Sequence, residues 1–428
     1  MPDEITIEVK NKDGVSELSS NGIECIAQTE KVEEPEDLYD VMYEIEDQQE
    51  SATEELGNRL HSIYQKIISE SYSDGDTNCV FTPATELYSM MVLSELCRGE
   101  SKEELLDLFG MPASDVSQMS QLIKKSIMCP QGYGKSVCDI NSSIWIDKEM
   151  LPITTNLKKI FDKTELESYA ANMKLPETGI EIQRWLQEKT GAIMDSEETS
   201  VQTKPEDAFI MFSTVLLNGK WIYEFQTEDN VNAPFFLTSG KTIQQEYMSD
   251  SKKDIIGDGS CFTTYTKEIH GRYAVTFILP KKNKSIADVI NCDDGLSTLV
   301  TGYAPKQDQY FVHTRIPKFK VSAKIDMKDM MKHMGISSVF DKNSADFSEI
   351  VANPLNAYLN KAEQNCTFEI DEEGIKGAGF VKYEAGAGCM DYGIPKDYYF
   401  YLDRPFLFTV TKRRNNPIFS GVIFNPSA

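Results

Sequence analysis

Proton transfer near neutral pH would fall first to histidine, and the chain has four: His61, His270, His313 and His333. No two stand at the i, i+4 spacing of a zinc-binding helical pair, and no G-x-S-x-G elbow, G-x-x-x-x-G-K-[ST] loop or G-x-G-x-x-G strand-to-helix turn is present. Carboxylates are abundant, 68 Asp and Glu in 428 residues, but no spacing singles out a catalytic pair. Nine cysteines, at 25, 79, 97, 129, 138, 261, 292, 366 and 389, are odd in number and never in C-x-x-C spacing. That pattern argues against a zinc site and against a disulfide framework, and it suits a reducing compartment. The reading is of a protein that is not an enzyme and calls for neither metal nor cofactor.

What stands out instead is one long connection rich in glycine and alanine. Asp371 to Asp397 reads DEEGIKGAGFVKYEAGAGCMDYGIPKD, between a strand ending near Ile370 and another beginning near Tyr398. A connection of this length inside a compact domain is usually functional or disordered. Its first half nevertheless alternates like a strand. Ile375, Gly377, Gly379, Val381 and Tyr383 are apolar or small on one parity, while Lys376, Ala378, Phe380, Lys382 and Glu384 are mostly polar on the other. A segment written both as a loop and as a strand with one buried face can be either at different times.

Helices and strands must hold that segment. Leu56, Leu60, Ile63, Tyr64, Ile67 and Ile68 recur along one helical face, behind Ser51 and Glu54 at capping-box spacing. Leu87, Met90, Met91, Leu93 and Leu96 mark a buried helix. Leu157, Ile160 and Phe161 mark a third, and Ile182, Trp185 and Leu186 a fourth that stops at Gly191. The continuous apolar runs 209–217 and 273–279 predict central strands buried on both faces; 398–401, 406–411 and 418–424 predict late strands. Helices dominate early and strands late, which predicts an α+β fold in one large domain over 51–428.

Net charge is −25, which opposes binding to nucleic acid. Residues 1–50 alone hold 16 acids and three bases, and they read as an acidic, largely disordered extension. Within it, the acidic stretch 34–47 interleaves Tyr39 and Tyr43 with other apolar residues, a composition that suits docking on a basic, grooved surface. The opening MPDEITIEVK has neither a basic nor an apolar signal region, and no apolar run is long enough to cross a bilayer. The expectation is therefore a cytoplasmic protein without membrane contact, or one exported by an unconventional route.

A set of ordered motifs from about Ser51 to Ala428 resembles the serpin family, the trapping inhibitors of serine proteases. Phe81-Thr82-Pro83-Ala84-Thr85 resembles the opening of the family's buried central helix, and Asn141 to Ile146 a strand that begins with asparagine. Asn218-Gly219-Lys220-Trp221, Arg315-Ile316-Pro317-Lys318-Phe319-Lys320 and Met334-Gly335-Ile336 with Val339-Phe340 follow in the family's order. So do Ala345 to Ile350, the hinge Asp371-Glu372-Glu373-Gly374, and the closing strands Arg404 to Phe408 and Phe419 to Pro426.

The resemblance implies three β-sheets, about nine helices and an exposed reactive-centre loop, here about 372–396. It implies a monomeric suicide substrate whose partner is a target protease held as a covalent acyl-enzyme. The cut loop then enters the central sheet as a new strand; about 16 residues at roughly 3.3 Å carry the protease about 50 Å. The hinge would comprise Glu372, Glu373, Gly374, Ile375, Gly377, Ala378 and Gly379. Ile375 stands where family inhibitors usually carry Thr or Ser, and Phe380 would face outward after insertion. These departures keep open a non-inhibitory serpin serving as a binding or chaperone module.

Trp221 and Lys318, with Glu372 again, match the family's breach. Thr82, Thr85, Ser213 and Gln364 match its shutter, with Gln364 and Ser213 where the family pairs histidine with asparagine. The reactive bond falls by the family's count at Gly388–Cys389, with Met390, Asp391 and Tyr392 open as alternatives. Gly388 suits an elastase-like pocket, Met390 or Tyr392 a chymotrypsin-like one, and a cysteine-protease target remains a further alternative. Tyr39 and Tyr43 would belong to a tail that grips a protease exosite. No strongly basic helix occurs in 110–140, which argues against heparin-type activation.

Overall fold

A computed structural model describes residues 23–27, 60–72, 76–129, 136–148, 156–350, 357–375, 396–412 and 416–427. The expectations placed on the tail tyrosines Tyr39 and Tyr43, on hinge residues Gly377, Ala378 and Gly379, and on the reactive-bond candidates Gly388, Cys389, Met390, Asp391 and Tyr392 lie outside the described residues, as does the Ser51–Glu54 capping box.

Helix α1, 60–71, buries Leu60, Ile63, Tyr64, Ile67 and Ile68, the stripe that its spacing requires. Helix α2 (Pro83–Leu96) starts with proline at its first turn, where no backbone N–H is needed, and is buried nearly all round. It packs against α3 (Gly99–Phe109), α4 (Ala113–Ile127), α5 (Asn156–Thr164) and the two sheets. Helix α6 (Pro176–Lys189) ends just before Gly191, which takes the left-handed conformation. The short helices α7 (Ile286–Ile290), α8 (Asp293–Thr301) and α9 (Met327–His333) are the remaining α-helices among the described residues.

Sixteen strands form two hydrogen-bonded sheets among the described residues. The first runs β1 (Glu24–Ala27), β4 (Glu167–Ala171), β3 (Ser136–Asp147), β5 (Phe209–Lys220), β13 (Gly374–Ile375), β12 (Glu363–Ile370), β11 (Phe319–Asp326). The second runs β14 (Asp397–Tyr401), β10 (Lys306–Pro317), β7 (Thr242–Asp258), β8 (Phe262–Ile269), β9 (Tyr273–Pro280), β15 (Phe406–Lys412), β16 (Pro417–Ile423), β2 (Cys79–Phe81), with β6 (Val231–Phe236) also on β7. Long β7 joins two layers of this second sheet. It pairs with β6 and β10 along most of its length and meets β8 only through Ile256, Gly257 and Asp258. The architecture is α+β, as the order of helical and extended segments requires.

The main core lies between the sheets around α2. Phe319 and Phe368 from the first sheet interleave with Phe406, Phe408 and Phe419 from the second, and Phe368 stacks on Phe408 at 4.8 Å. A smaller core under α6 gathers Trp145, Tyr169, Met173, Ile182 and Trp185, with Trp145 and Tyr169 stacked at 4.2 Å.

Two sequence expectations need correction. Residues 23–27 fall in the stretch read as a disordered extension, yet β1 adds to the sheet edge, with Cys25 opposite Tyr169, and Ile23 is only 7% exposed in the smaller core. Four residues are too few for their alternation to register against so acidic a background. Strand β5, read as buried on both faces, is half-exposed from Phe209 to Ser213 because it borders a cleft.

Candidate functional site

The site is the middle of the seven-stranded sheet. Strand β12 ends at Ile370, and the chain turns back through Asp371, Glu372 and Glu373. The Asp371 carboxylate accepts the N–H groups of Glu373 (3.0 Å) and Gly374 (3.1 Å), which fixes that turn. Gly374 and Ile375 then form β13, antiparallel to both neighbours. Gly374 stands opposite Lys220, and Ile375 stands between Gly219 of β5 and Ile370 of β12. Ile375 is 2% exposed, on the same inner face as Ile370. Gly374 must be glycine here: a Cβ would lie 2.2 Å from the Gly219 carbonyl oxygen and 2.7 Å from the Lys220 Cα.

Beyond Ile375, no pairing joins β5 to β12 among the described residues. The two strands flank a cleft of about 750 Å³. Its walls combine apolar side chains, including Phe209, Met211, Leu217 and Phe419, with polar ones from α2, β5 and β12.

The top of the cleft brings together Trp221, Lys318 and Glu372, the residues expected to form the breach. Trp221 is fully buried, donates its indole N–H to the Asp371 carbonyl at 2.9 Å, and donates its backbone N–H to the Glu373 carbonyl at 3.0 Å. Lys318 reaches Glu372 at 3.0 Å and Glu246 at 2.7 Å. Glu372 also accepts from the Asn230 amide at 2.6 Å, and Lys220 pairs with Glu373 at 3.1 Å. Burial by itself would raise the Glu372 carboxyl, but hydrogen bonds from Asn230 and Lys318, with the Lys318 charge, outweigh it and hold it below its ordinary value. Behind Trp221 lies Lys267, its ammonium 3.8 Å from the Phe225 ring centre and 4.0 Å from Asp250. Burial, reinforced by Lys252, lowers this ammonium to about 8 against the opposing pull of Asp250 and Asp254.

The shutter positions form two separate pairs. Gln364 and Thr82 exchange hydrogen bonds, the Gln364 amide donating to the Thr82 hydroxyl at 2.7 Å and the Thr82 N–H donating to the Gln364 carbonyl at 3.2 Å. Thr82 therefore does not cap α2 with its side chain. Ser213 bonds instead to Ser142 on β3, at 2.7 Å, so Gln364 and Ser213 are not partners of one another. Thr85 lines the cleft, and its hydroxyl is buried without a hydrogen-bond partner.

Asn230, Ser142 and Glu86 have no role assigned from the sequence, and Asp371 figures there only as the first residue of the hinge motif, without its part in fixing the turn. Asn230 and Ser142 carry no local signal, because their partners are remote in the chain. Glu86 had one: it is a carboxylate in the first turn of a helix otherwise legible as buried. Among the described residues no group of three or more His, Cys, Asp or Glu is placed to hold a metal, and no helix is long and apolar enough to cross a membrane.

Residues 58–426 match the family described as Serpin (serine protease inhibitor). The chain is 23% identical over 405 residues to Serpin-Z4 of Arabidopsis thaliana, covering 87% of this chain and 99% of that protein. It is 22% identical to alpha-1-antiproteinase F of Cavia porcellus, covering 87% and 90%. Among solved structures it superposes on a thermophilic serpin, tengpin, in its native state, with a TM-score of 0.75 at 19% identity over 87% of this chain and 94% of that one. Thyroxine-binding globulin in complex with thyroxine gives a TM-score of 0.69 at 18% identity, over 88% and 99%.

Proposed function

The chain belongs to the serpin family, whose members are in general protease inhibitors rather than catalysts, and from that premise we propose that it traps a serine endopeptidase as an acyl-enzyme by inserting its cut loop between β5 and β12. The observation that carries this reading is β13. Two residues of the hinge are hydrogen-bonded on both sides inside the sheet, above a cleft where the flanking strands do not pair.

The chemistry belongs to the protease. Its serine hydroxyl attacks the scissile carbonyl, the new amino terminus leaves, and the chain upstream of the cut stays bound as an ester. Strand β5 is 12 residues long, and a strand of that length spans about 40 Å at roughly 3.3 Å per residue. Continued in the register that Gly374 and Ile375 set, Val381 would stand between Ser213 and Gln364, with Gly377, Gly379 and Tyr383 on the same inner face. Phe380 would point outward. The tethered protease would be drawn the length of the sheet before water releases it.

The reactive bond in this proposal is Gly388–Cys389, with a bond at Met390, Asp391 or Tyr392 as the alternative. The target is elastase-like in the first case and chymotrypsin-like in the second. The test mixes the protein with chymotrypsin, an elastase and a papain-like protease, then runs denaturing gels and mass spectrometry. An SDS-stable band near the sum of the two masses is the expected result, and the released C-terminal peptide fixes the bond. Cleavage in the loop without that band, and without a rise in thermal stability of the cut chain, would replace the reading with a serpin that serves as a binding module.

A further inference from the structure

Beneath the cleft, Glu86 occupies the first turn of α2, one residue after the shutter threonine Thr85. Its side chain lines the cleft and the residue is 2% exposed. Both carboxylate oxygens are buried without a hydrogen-bond partner. The nearest donors are engaged elsewhere, since the Gln364 amide and the Thr82 N–H are bonded to each other's residues. A buried carboxylate in this position is costly when ionised and inexpensive when neutral.

We propose that Glu86 gates strand insertion: the loop enters between β5 and β12 only over the protonated carboxyl, so a site that starts ionised takes up one proton from solvent as the strand goes in. This inference rests on the insertion reading above and names a residue that controls its central step. The incoming inner face, glycine and valine at the level of Cys366 and Gln364, brings no donor to a carboxylate. It also displaces the water that a cleft of about 750 Å³ can hold. Filling the cleft therefore deepens the penalty on the charged form and leaves the neutral acid unaffected.

The groups around Glu86 cannot supply a compensating cation. On β2 and β12 these are the thiols Cys79 and Cys366, each raised first by burial and further by other groups that include Glu86, and the carboxylates Glu363 and Glu369, which are no cations either. From the segment after α6 come Glu198, which accepts from Thr367 at 2.7 Å, Asp207 and the exposed Lys204. Lys324 and Lys361 are exposed at the lower rim and both pair with Glu363, at 3.2 and 2.6 Å. Burial raises the Glu86 carboxyl to about 8 even against the Gln364 and Thr82 groups that oppose it, so the gate would operate near neutral pH.

The test anneals an acetylated synthetic peptide spanning residues 376–387 to the full-length protein from pH 6 to 9.5, following complex formation on native gels and by thermal stability. Wild type is expected to anneal at a constant rate below pH 7 and about tenfold more slowly per pH unit above about 8. Glu86→Gln keeps the shape and removes the charge, so its rate should be flat across the range. Glu86→Met, also uncharged, serves if Glu86→Gln does not fold. The same pH profile in wild type and variant overturns the gate and leaves insertion standing. A flat wild-type profile does so equally. Failure of the peptide to anneal at any pH overturns the insertion reading, and the gate with it.

Discussion

Replacing Gly374 by alanine tests the hinge most directly. The added methyl would sit 2.2 Å from the Gly219 carbonyl oxygen, 2.7 Å from the Lys220 Cα and 3.0 Å from the Gly219 carbonyl carbon. All three are backbone atoms of β5, so no rotamer change relieves the contact. Overpacking of this kind costs about 1–3 kcal/mol. The alternative response is for the hinge to leave the sheet, giving up the Trp221 N–H to Glu373 and Asp371 N–H to Gly374 carbonyl bonds, each 3.0 Å long and worth about 1 kcal/mol net. On either route insertion loses its first paired residues. A barrier higher by 1–3 kcal/mol slows it about 5- to 150-fold. In the proposed mechanism insertion competes with hydrolysis of the acyl-enzyme. If it leads tenfold in the wild type, the number of inhibitor molecules consumed per protease trapped rises from about 1.1 to between about 1.5 and 16.

The assay titrates whichever protease forms the SDS-stable complex and counts trapped against cleaved inhibitor on the gel. An internal control separates hinge expulsion from misfolding: a peptide spanning residues 374–387 should anneal faster to Gly374→Ala than to wild type, because its slot is vacated. Wild-type stoichiometry together with an unchanged annealing rate would refute the placement of Gly374 between β5 and β12.

Other perturbations follow from the same geometry. Gln364→Leu removes the donor to the Thr82 hydroxyl and the acceptor for its N–H, and should lower resistance to urea by about 1–3 kcal/mol. The Lys267 ammonium is lowered in the fold, so the fold binds that proton less well than the unfolded chain does. The cost is present in full below about 8 and fades as pH rises toward the ordinary value of 10.5. Lys267→Met should therefore be more stable than wild type at pH 7, with the advantage shrinking by pH 10 in thermal melts. Glu372 is displaced the other way. Its contribution is present above the ordinary value of 4.5 and is lost as pH falls through its lower value in the fold. Wild type should lose stability on acidification below about pH 4.5, and Glu372→Gln should lose less.

Much of the fold was legible because its signals are local. Leu60, Ile63, Ile67 and Ile68 declare a buried helical stripe by spacing alone, and the runs at 273–279 and 406–411 declare strands by composition. The turn and strand at Asp371 to Ile375 were legible too, since the segment combines acids, a glycine and strand parity within five residues. Strand β1 was not, because Ile23 and Cys25 acquire meaning only against Tyr169 and Trp185, far along the chain. Neither was the half-exposure of β5, whose apolar run cannot tell a filled neighbour position from a cleft.

The division at the site is the same. The sequence by itself put Ile375 on the apolar parity of a strand with one buried face, and its resemblance to the family pointed to Gly374 as a hinge position and to Trp221, Lys318 and Glu372 as a cluster. Only the tertiary structure decided that Ser213 bonds Ser142 rather than Gln364, that Asn230 joins the Lys318–Glu372 pair, and that Glu86 lies under the cleft without a partner. Spacing fixes which way a side chain points along its own helix or strand. Whether it then meets a donor, an acceptor or nothing depends on strands brought together from opposite ends of the chain, which no local pattern encodes.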